Sequence, residues 1–263
     1  MSITNSLMAA VARKNLAVGG FSAEAQDYFD RLDTAGDTTY TPYKQPIANY
    51  IDGLVALGGA YWGNMESAAL FVGVGLQGVV VPLRSDMPAL TNNNFISADL
   101  SQTTGLLGDG VTKQLALGLA GTDLIQNDAS ISVYISSAST INSYYIGNDA
   151  TSGSIFLRTS SGAANAAARL HSTANVQLGG ASLGFLGATR SDGVDLDYRI
   201  ADADATTADA SATPRSASLY LFQRSNATLF SDARIATYHV GADLSLSTLE
   251  ALQDTLISEI AAI

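Results

Sequence analysis

Asp195 and Asp197 alternate along residues 194–200, so in an extended strand both carboxylates point to one face. Asp202 and Asp204 follow directly. Two carboxylates on one strand face could begin a Ca²⁺ site, but Ca²⁺ takes roughly six to eight oxygens and the tight series of loop ligands is missing. The competing reading is a solvated edge whose charges discourage strand addition. No cofactor is therefore expected, with Ca²⁺ the one ion the pattern admits. Tyr144, Tyr145 and Tyr198, with Tyr220, could stack on sugar rings or could pack with their hydroxyls at the surface. Arg190 and Arg199, with Arg224, could clamp anionic sugars or pair with nearby aspartates. Tyr144, Tyr145, Tyr198, Arg190 and Arg199 are the ligand-contact candidates.

No residue set announces a reaction. A retaining glycosidase needs two carboxylates about 5 Å apart, one with a raised pKa. The four glutamates, Glu24, Glu66, Glu250 and Glu259, fall in expected helices or their turns, outside the strand-rich region. His171 and His239 are the only histidines, and neither has the evident partner that a general base requires. The absence of cysteine excludes disulfides, thiolate metal sites and cysteine nucleophiles. Neither a phosphate-cradling glycine loop nor a nucleophile elbow is present. The expectation is a protein without catalytic residues.

Positioning such side chains falls to a run of short strands. Phe95 to Leu119 reads as a hairpin turning at Asp109-Gly110, where a type I′ turn needs positive φ. Ile131, Val133 and Ile135 alternate with Ser130, Ser132, Tyr134 and Ser136, the pattern of a strand wet on one side. Residues 219–222 are apolar on both faces and should be central, whereas the acidic 201–214 stretch reads as an exposed loop. Residues 70–74 and 79–83 are further strand candidates. Two helices precede the strands: one starts at Ser22 and stops at Gly36, the other covers 47–57 with Pro46 in first position. A last helix opens on a Ser247–Glu250 capping box and aligns Leu249, Leu252, Leu256, Ile260 and Ile263. The expected organisation is a lead-in arm over 1–20, a helical segment over 21–66, connecting strands over 67–91, a β-sandwich over 92–243 and a C-terminal helix over 244–263.

The 263 residues carry a net charge of −11, from 24 acidic and 13 basic side chains, which speaks against a nucleic-acid surface. With 47% apolar residues, the composition is that of a folded chain. The apolar stretch 68–83 is shorter than the roughly 20 residues that span a bilayer, so no membrane insertion is expected. Arg13 and Lys14 stand where a signal peptide would be cleaved, so synthesis in a bacterial-type cytoplasm is expected.

The segments GGFSAEAQDYFDRL, IANYIDGLVALGGAYWGNM, NFISADLSQTTGLLGDGVTKQLALGL, LGFLGATRSDG, LYLFQRSN and ARIATYHVGADLS follow in this order. That order resembles a group of bacteriophage and prophage virion proteins of tails or fibres. In them a small helical segment precedes a concanavalin-A-like (laminin-G-like) jelly roll. The resemblance implies a mostly-β fold and a structural role on the virion. It further implies an N-terminal region docking on other virion proteins, a homo-oligomer, and loops that contact host-surface polysaccharide. Fold analogy alone does not decide among a tail component, a capsid decoration or head-fibre protein, a plain carbohydrate-binding module and a depolymerase. The missing sandwich glutamates argue against the last.

Overall fold

A computed structural model describes residues 20–59, 61–149, 151–160, 165–180, 183–200 and 202–263; the expected arm over residues 1–20 lies outside these except for Gly20. The first helix, α1 (Ala23–Thr34), starts where expected, because the Ser22 hydroxyl accepts from the Ala25 N–H at 3.2 Å. It ends ahead of Gly36, whose φ of +79° suits a residue without a Cβ. The second helix, α2 (Lys44–Ala56), starts earlier than expected, directly after a 3₁₀ turn at Thr41–Tyr43. Pro46 thereby stands third in the helix, where its missing N–H is still among the unpaired first four. The last helix, α3 (Leu246–Ala261), is capped by Ser245 and not by Ser247, with the Ser245 hydroxyl accepting from the Thr248 N–H at 3.4 Å. No described helix is long and apolar enough to cross a membrane.

The strands are β1 (Met65–Leu70), β2 (Thr91–Asn93), β3 (Leu100–Ser101), β4 (Gly105–Leu107), β5 (Gln114–Ala120), β6 (Ala129–Ser137), β7 (Tyr144–Gly147) and β8 (Ser154–Ser160). They continue with β9 (Asn165–Ser172), β10 (Val176–Gln177), β11 (Gly184–Arg190), β12 (Asp195–Ile200), β13 (Ala203–Ala208), β14 (Ser218–Leu221) and β15 (Arg234–Gly241). Sheet I runs β13-β12-β11-β6-β15-β4-β3, with β1 also paired to β15, and sheet II runs β10-β9-β8-β7-β14-β5-β2. Every pairing is antiparallel. The fold is mostly β: a jelly-roll sandwich preceded by a short helical segment and closed by a C-terminal helix. Its interior holds the alternate apolar residues of both sheets, such as Ile131, Val133 and Ile135 facing Ile155, Leu157 and Leu170.

Several local expectations change. Residues 95–119 form no single hairpin: β4 belongs to sheet I and β5 to sheet II. Asp109 instead directs a crossover, its carboxylate accepting from the N–H groups of Val111, Thr112 and Lys113 at 2.8–3.0 Å. Partial burial works against ionisation there, but these donors and the Thr112 hydroxyl outweigh it and hold the carboxyl well below its usual range.

Only the first of the two strands expected between 70 and 83 forms, and it lies earlier, as β1. A 3₁₀ turn at Gly78–Val80 replaces the second. The intervening backbone is tied by the buried Asp37, which accepts from the Gly75 N–H at 2.6 Å and the Thr39 N–H at 2.9 Å. Phe71, Val72, Val74 and Val79 are buried within the chain, so most of this stretch is core. Glu66 lies in β1, in the sheet and not in a helical turn. The 201–214 loop is in part β13.

The face of β6 expected to be wet is covered. Ser130 and Ser132 are buried, and the Tyr134 hydroxyl bonds to Asp254 of α3. Tyr50 of α2 bonds to Thr237, which stands beside Tyr134 in the register of β15 and β6. The helices thus seal the outer face of sheet I. The stripe of α3 packs within the chain through Leu249, Leu252, Leu256 and Ile260, while Ile263 is 62% exposed.

Candidate functional site

Asp195 and Asp197 do share the outer face of β12, but among the described residues no third acidic group joins them. Asp197 accepts from the Thr206 hydroxyl across the β12–β13 hairpin. The carboxylates that converge are Asp202, Glu250 and Asp254, whose oxygens lie within 4.8 Å of one another. Glu250 and Asp254 are one turn apart on α3, and Asp202 sits in the β12–β13 turn. Burial raises the pKa of Glu250, which is 4% exposed, and the Arg199 guanidinium opposes that rise. Arg199 donates to Glu250 through Nε and meets Asp204 through Nη1 at 2.9 Å. Three carboxylates would suit a hard cation in charge. With Arg199 already neutralising Glu250, the group works as an ionic clamp between α3 and the β12–β13 hairpin.

The other expected contact residues point elsewhere. Tyr145 is fully buried in the main core, and Tyr144 is 1% exposed, its ring edge-on to Phe156 at 5.0 Å. Neither offers a ring face to a sugar. Tyr198 is half-buried against the core. Arg190 has no exposed surface. It donates to the Leu170 carbonyl at 3.0 Å, to the Asp209 carbonyl and carboxylate at 2.8 and 2.7 Å, and to the Ser172 hydroxyl at 3.1 Å. Its work is structural, because it fixes the segment that continues into residues 211–216.

That segment, with Gln126 and Ser152, lines a groove of about 800 Å³ at one end of the sandwich. His171 stands behind it, in left-handed backbone (φ +52°), with its carbonyl accepting from the Ala212 N–H at 2.5 Å. Burial holds His171 neutral, with a pKa lowered to about 4, and likewise His239, lowered to about 3 beneath the helices. Imidazoles so depressed and enclosed are poor proton acceptors at neutral pH.

The sequence reading named Tyr144, Tyr220 and Arg224 singly but missed Phe156, Arg158 and Arg169, which join them on the outer face of sheet II. Strand register places two rows of side chains there: Tyr220, Gly147, Phe156 and Arg169 in one, Tyr144, Arg158, Ala167 and Gln177 in the other. Arg158 lies over Phe156 and Tyr144, its Cζ 5.3 and 5.8 Å from the ring centroids, and Arg169 lies over Phe156 at 5.5 Å. Arg169 donates to Asn175 at 2.6 Å, and Arg224, reaching Tyr144 from the 222–231 loop, donates to Asn226 at 2.9 Å. Phe156 and Arg158 alternate in SIFLRTS with the inward Ile155 and Leu157, so their common face was legible. Their meeting with Arg224 was not, since it depends on a loop.

No protein-family profile matches the chain, and no curated protein matches it either. Among solved structures, a point mutant of HCR/D is similar at a TM-score of 0.49 and 11% identity, over 73% of this chain and 52% of that one. Domain 4 of AbnA, an extracellular arabinanase from Geobacillus stearothermophilus solved with arabinotriose, gives 0.44 and 13%, over 72% and 98%. The galectin LEC-6 from Caenorhabditis elegans gives 0.31 and 10%, over 54% and 99%. The chain thus spans about half the length of the first of these.

Proposed function

We propose that this chain is a structural component of a bacteriophage particle, of the tail or its fibres, which holds its sandwich outward to contact polysaccharide on the host surface. It does so as a homo-oligomer and without chemistry of its own. The N-terminal region, residues 1–20 together with the outer sides of α1 and α2, docks on other virion proteins. The observation that carries the reading is the asymmetry of the sandwich: helices cover the outer face of sheet I, while the outer face of sheet II presents half-buried Arg158 and Tyr220 over the buried rings of Tyr144 and Phe156. One side is built for attachment and the other for display. The resemblance to virion proteins supplies the setting, and many weak contacts on one particle would supply avidity. The absence of chemistry rests on Glu250 being ion-paired with Arg199 and on both histidines being buried.

Antibody raised against the sandwich, applied to intact particles and viewed by electron microscopy, tests this. Label at the tail tip or fibres is expected, and deletion of residues 1–20 should abolish it. Label over the head would make the chain a capsid decoration protein, and no label on any particle would overturn the virion role.

A further inference from the structure

We propose that the outer face of sheet II binds the carboxylate groups of an acidic polysaccharide, a polyuronate, through Arg158 and Arg224. The inference deepens the host-contact reading and rests on it for the choice of a surface polymer.

In a chain with 24 acidic and 13 basic side chains, a random patch should be acidic. Here Arg158 and Arg169 both lie over Phe156, at 5.3 and 5.5 Å from its centroid, and Arg224 reaches the Tyr144 hydroxyl beside them. Among the described residues neither Arg158 nor Arg224 forms an ion pair, whereas Arg31, Arg84, Arg190, Arg199 and Arg215 all do. Like charges held together repel, and an anion placed between them relieves that repulsion.

The geometry is also that of a prepared donor. Arg158 is half-buried, its Cζ 5.8 and 5.3 Å from the Tyr144 and Phe156 ring centroids, and its Nε is buried without a hydrogen-bond partner. The rings take up one side of the group, and with Nε enclosed its two terminal Nη groups are the donors that a carboxylate can accept in bidentate fashion. The two rows continue the surface with neutral hydrogen-bonding groups suited to sugar hydroxyls: half-exposed Tyr220 on one side and exposed Gln177 on the other. A densely charged polyanion such as nucleic acid would meet the overall charge of −11. A polymer with one carboxylate per sugar suits a local basic patch in an acidic protein.

The test is binding of fluorescent polygalacturonate to the full chain, with neutral dextran and single-stranded DNA of similar length beside it. Saturable binding to polygalacturonate alone is expected, weakening with salt. Arg158→Gln and Arg224→Gln should each weaken it roughly tenfold or more, the scale of a lost charge-assisted hydrogen bond. Arg158→Lys, which keeps the charge and loses the fork, should lose several-fold. Arg224 lies in a loop, so its variant stays informative should Arg158→Gln melt early. No binding to polygalacturonate by the folded chain, equal binding to dextran, preference for DNA, or folded variants with unchanged affinity would each overturn the inference. Labelled tails without polygalacturonate binding would remove this inference and leave the virion role standing. Binding without any labelled particle would do the reverse.

Discussion

Arg190 and Asp209 meet at 2.7 Å, with neither side chain significantly exposed to water. Arg190 comes from the end of β11 and Asp209 from the residue after β13, so the pair closes the corner of sheet I against the groove wall. Removing one partner from such a pair leaves a buried charge without compensation. Asp209→Ala should therefore lower unfolding free energy by about 3–5 kcal/mol, measured by urea titration. The paired replacement Arg190→Met with Asp209→Leu should cost less than the single change, because no lone charge remains.

Acid should unfold this protein from an unusually high pH. Burial lowers His239 from 6.5 to about 3 and His171 from 6.5 to about 4, so both are neutral when folded. Unfolded histidines take up protons below about pH 6.5, and the folded form does not until far lower. The stability they contribute is complete above that pH and is lost as pH falls towards 4 and then 3. Each histidine removes at most about 1.4 kcal/mol per pH unit over its window. His239→Gln should flatten the dependence between pH 6 and 4, as read by denaturant midpoints at a series of pH values. An unchanged slope would show that His239 is protonated when folded.

Arg199 binds Glu250 from a strand that the helix must cover. Arg199→Met leaves Glu250 buried beside Asp202 and Asp254 with no cation, and its pKa should rise further. The expected loss is about 2–3 kcal/mol. Faster amide exchange should appear in α3 while β8 and β9 stay protected. Glu250→Gln, which keeps an acceptor without the charge, should cost less.

Leu252 packs against the Gly53 backbone of α2, close enough that a Cβ on Gly53 would meet its methyl at 2.5 Å. Leu252→Ala should cost about 2–5 kcal/mol, the range for emptying a buried leucine site, read as a lowered urea midpoint.

Much of the strand layout was legible because alternation fixes which side chains share a face. Asp195 and Asp197 do point together, and Leu219 and Leu221 do lie in a central strand. Alternation is silent on what lies against a face. Ser130 and Ser132 look solvated in a strand taken alone and are dry here, because α2 and α3 come from remote parts of the chain to cover them. The candidate site failed for the same reason. Tyr144 and Arg190 are residue types that bind sugars on surfaces, and only the tertiary fold buries them. Asp109-Gly110 does turn, with Gly110 at φ +72°, yet a turn signal cannot tell a hairpin from a crossover between sheets.

The pairing of β1 with β15 sets a schedule for biosynthesis. The Thr237 hydroxyl donates to the Ala69 carbonyl at 3.0 Å across 168 residues of chain. On the ribosome, β1, β4 and β6 all emerge before the strand that joins them, so sheet I has a gap in its middle until β15 is made. The interrupted edges of a nascent chain are openings for pairing with the wrong neighbour. α3 follows at once and covers the completed sheet. A chain arranged in this way completes its larger sheet only when β15 and α3 are in place, so copies stalled before β15 would keep sheet I open.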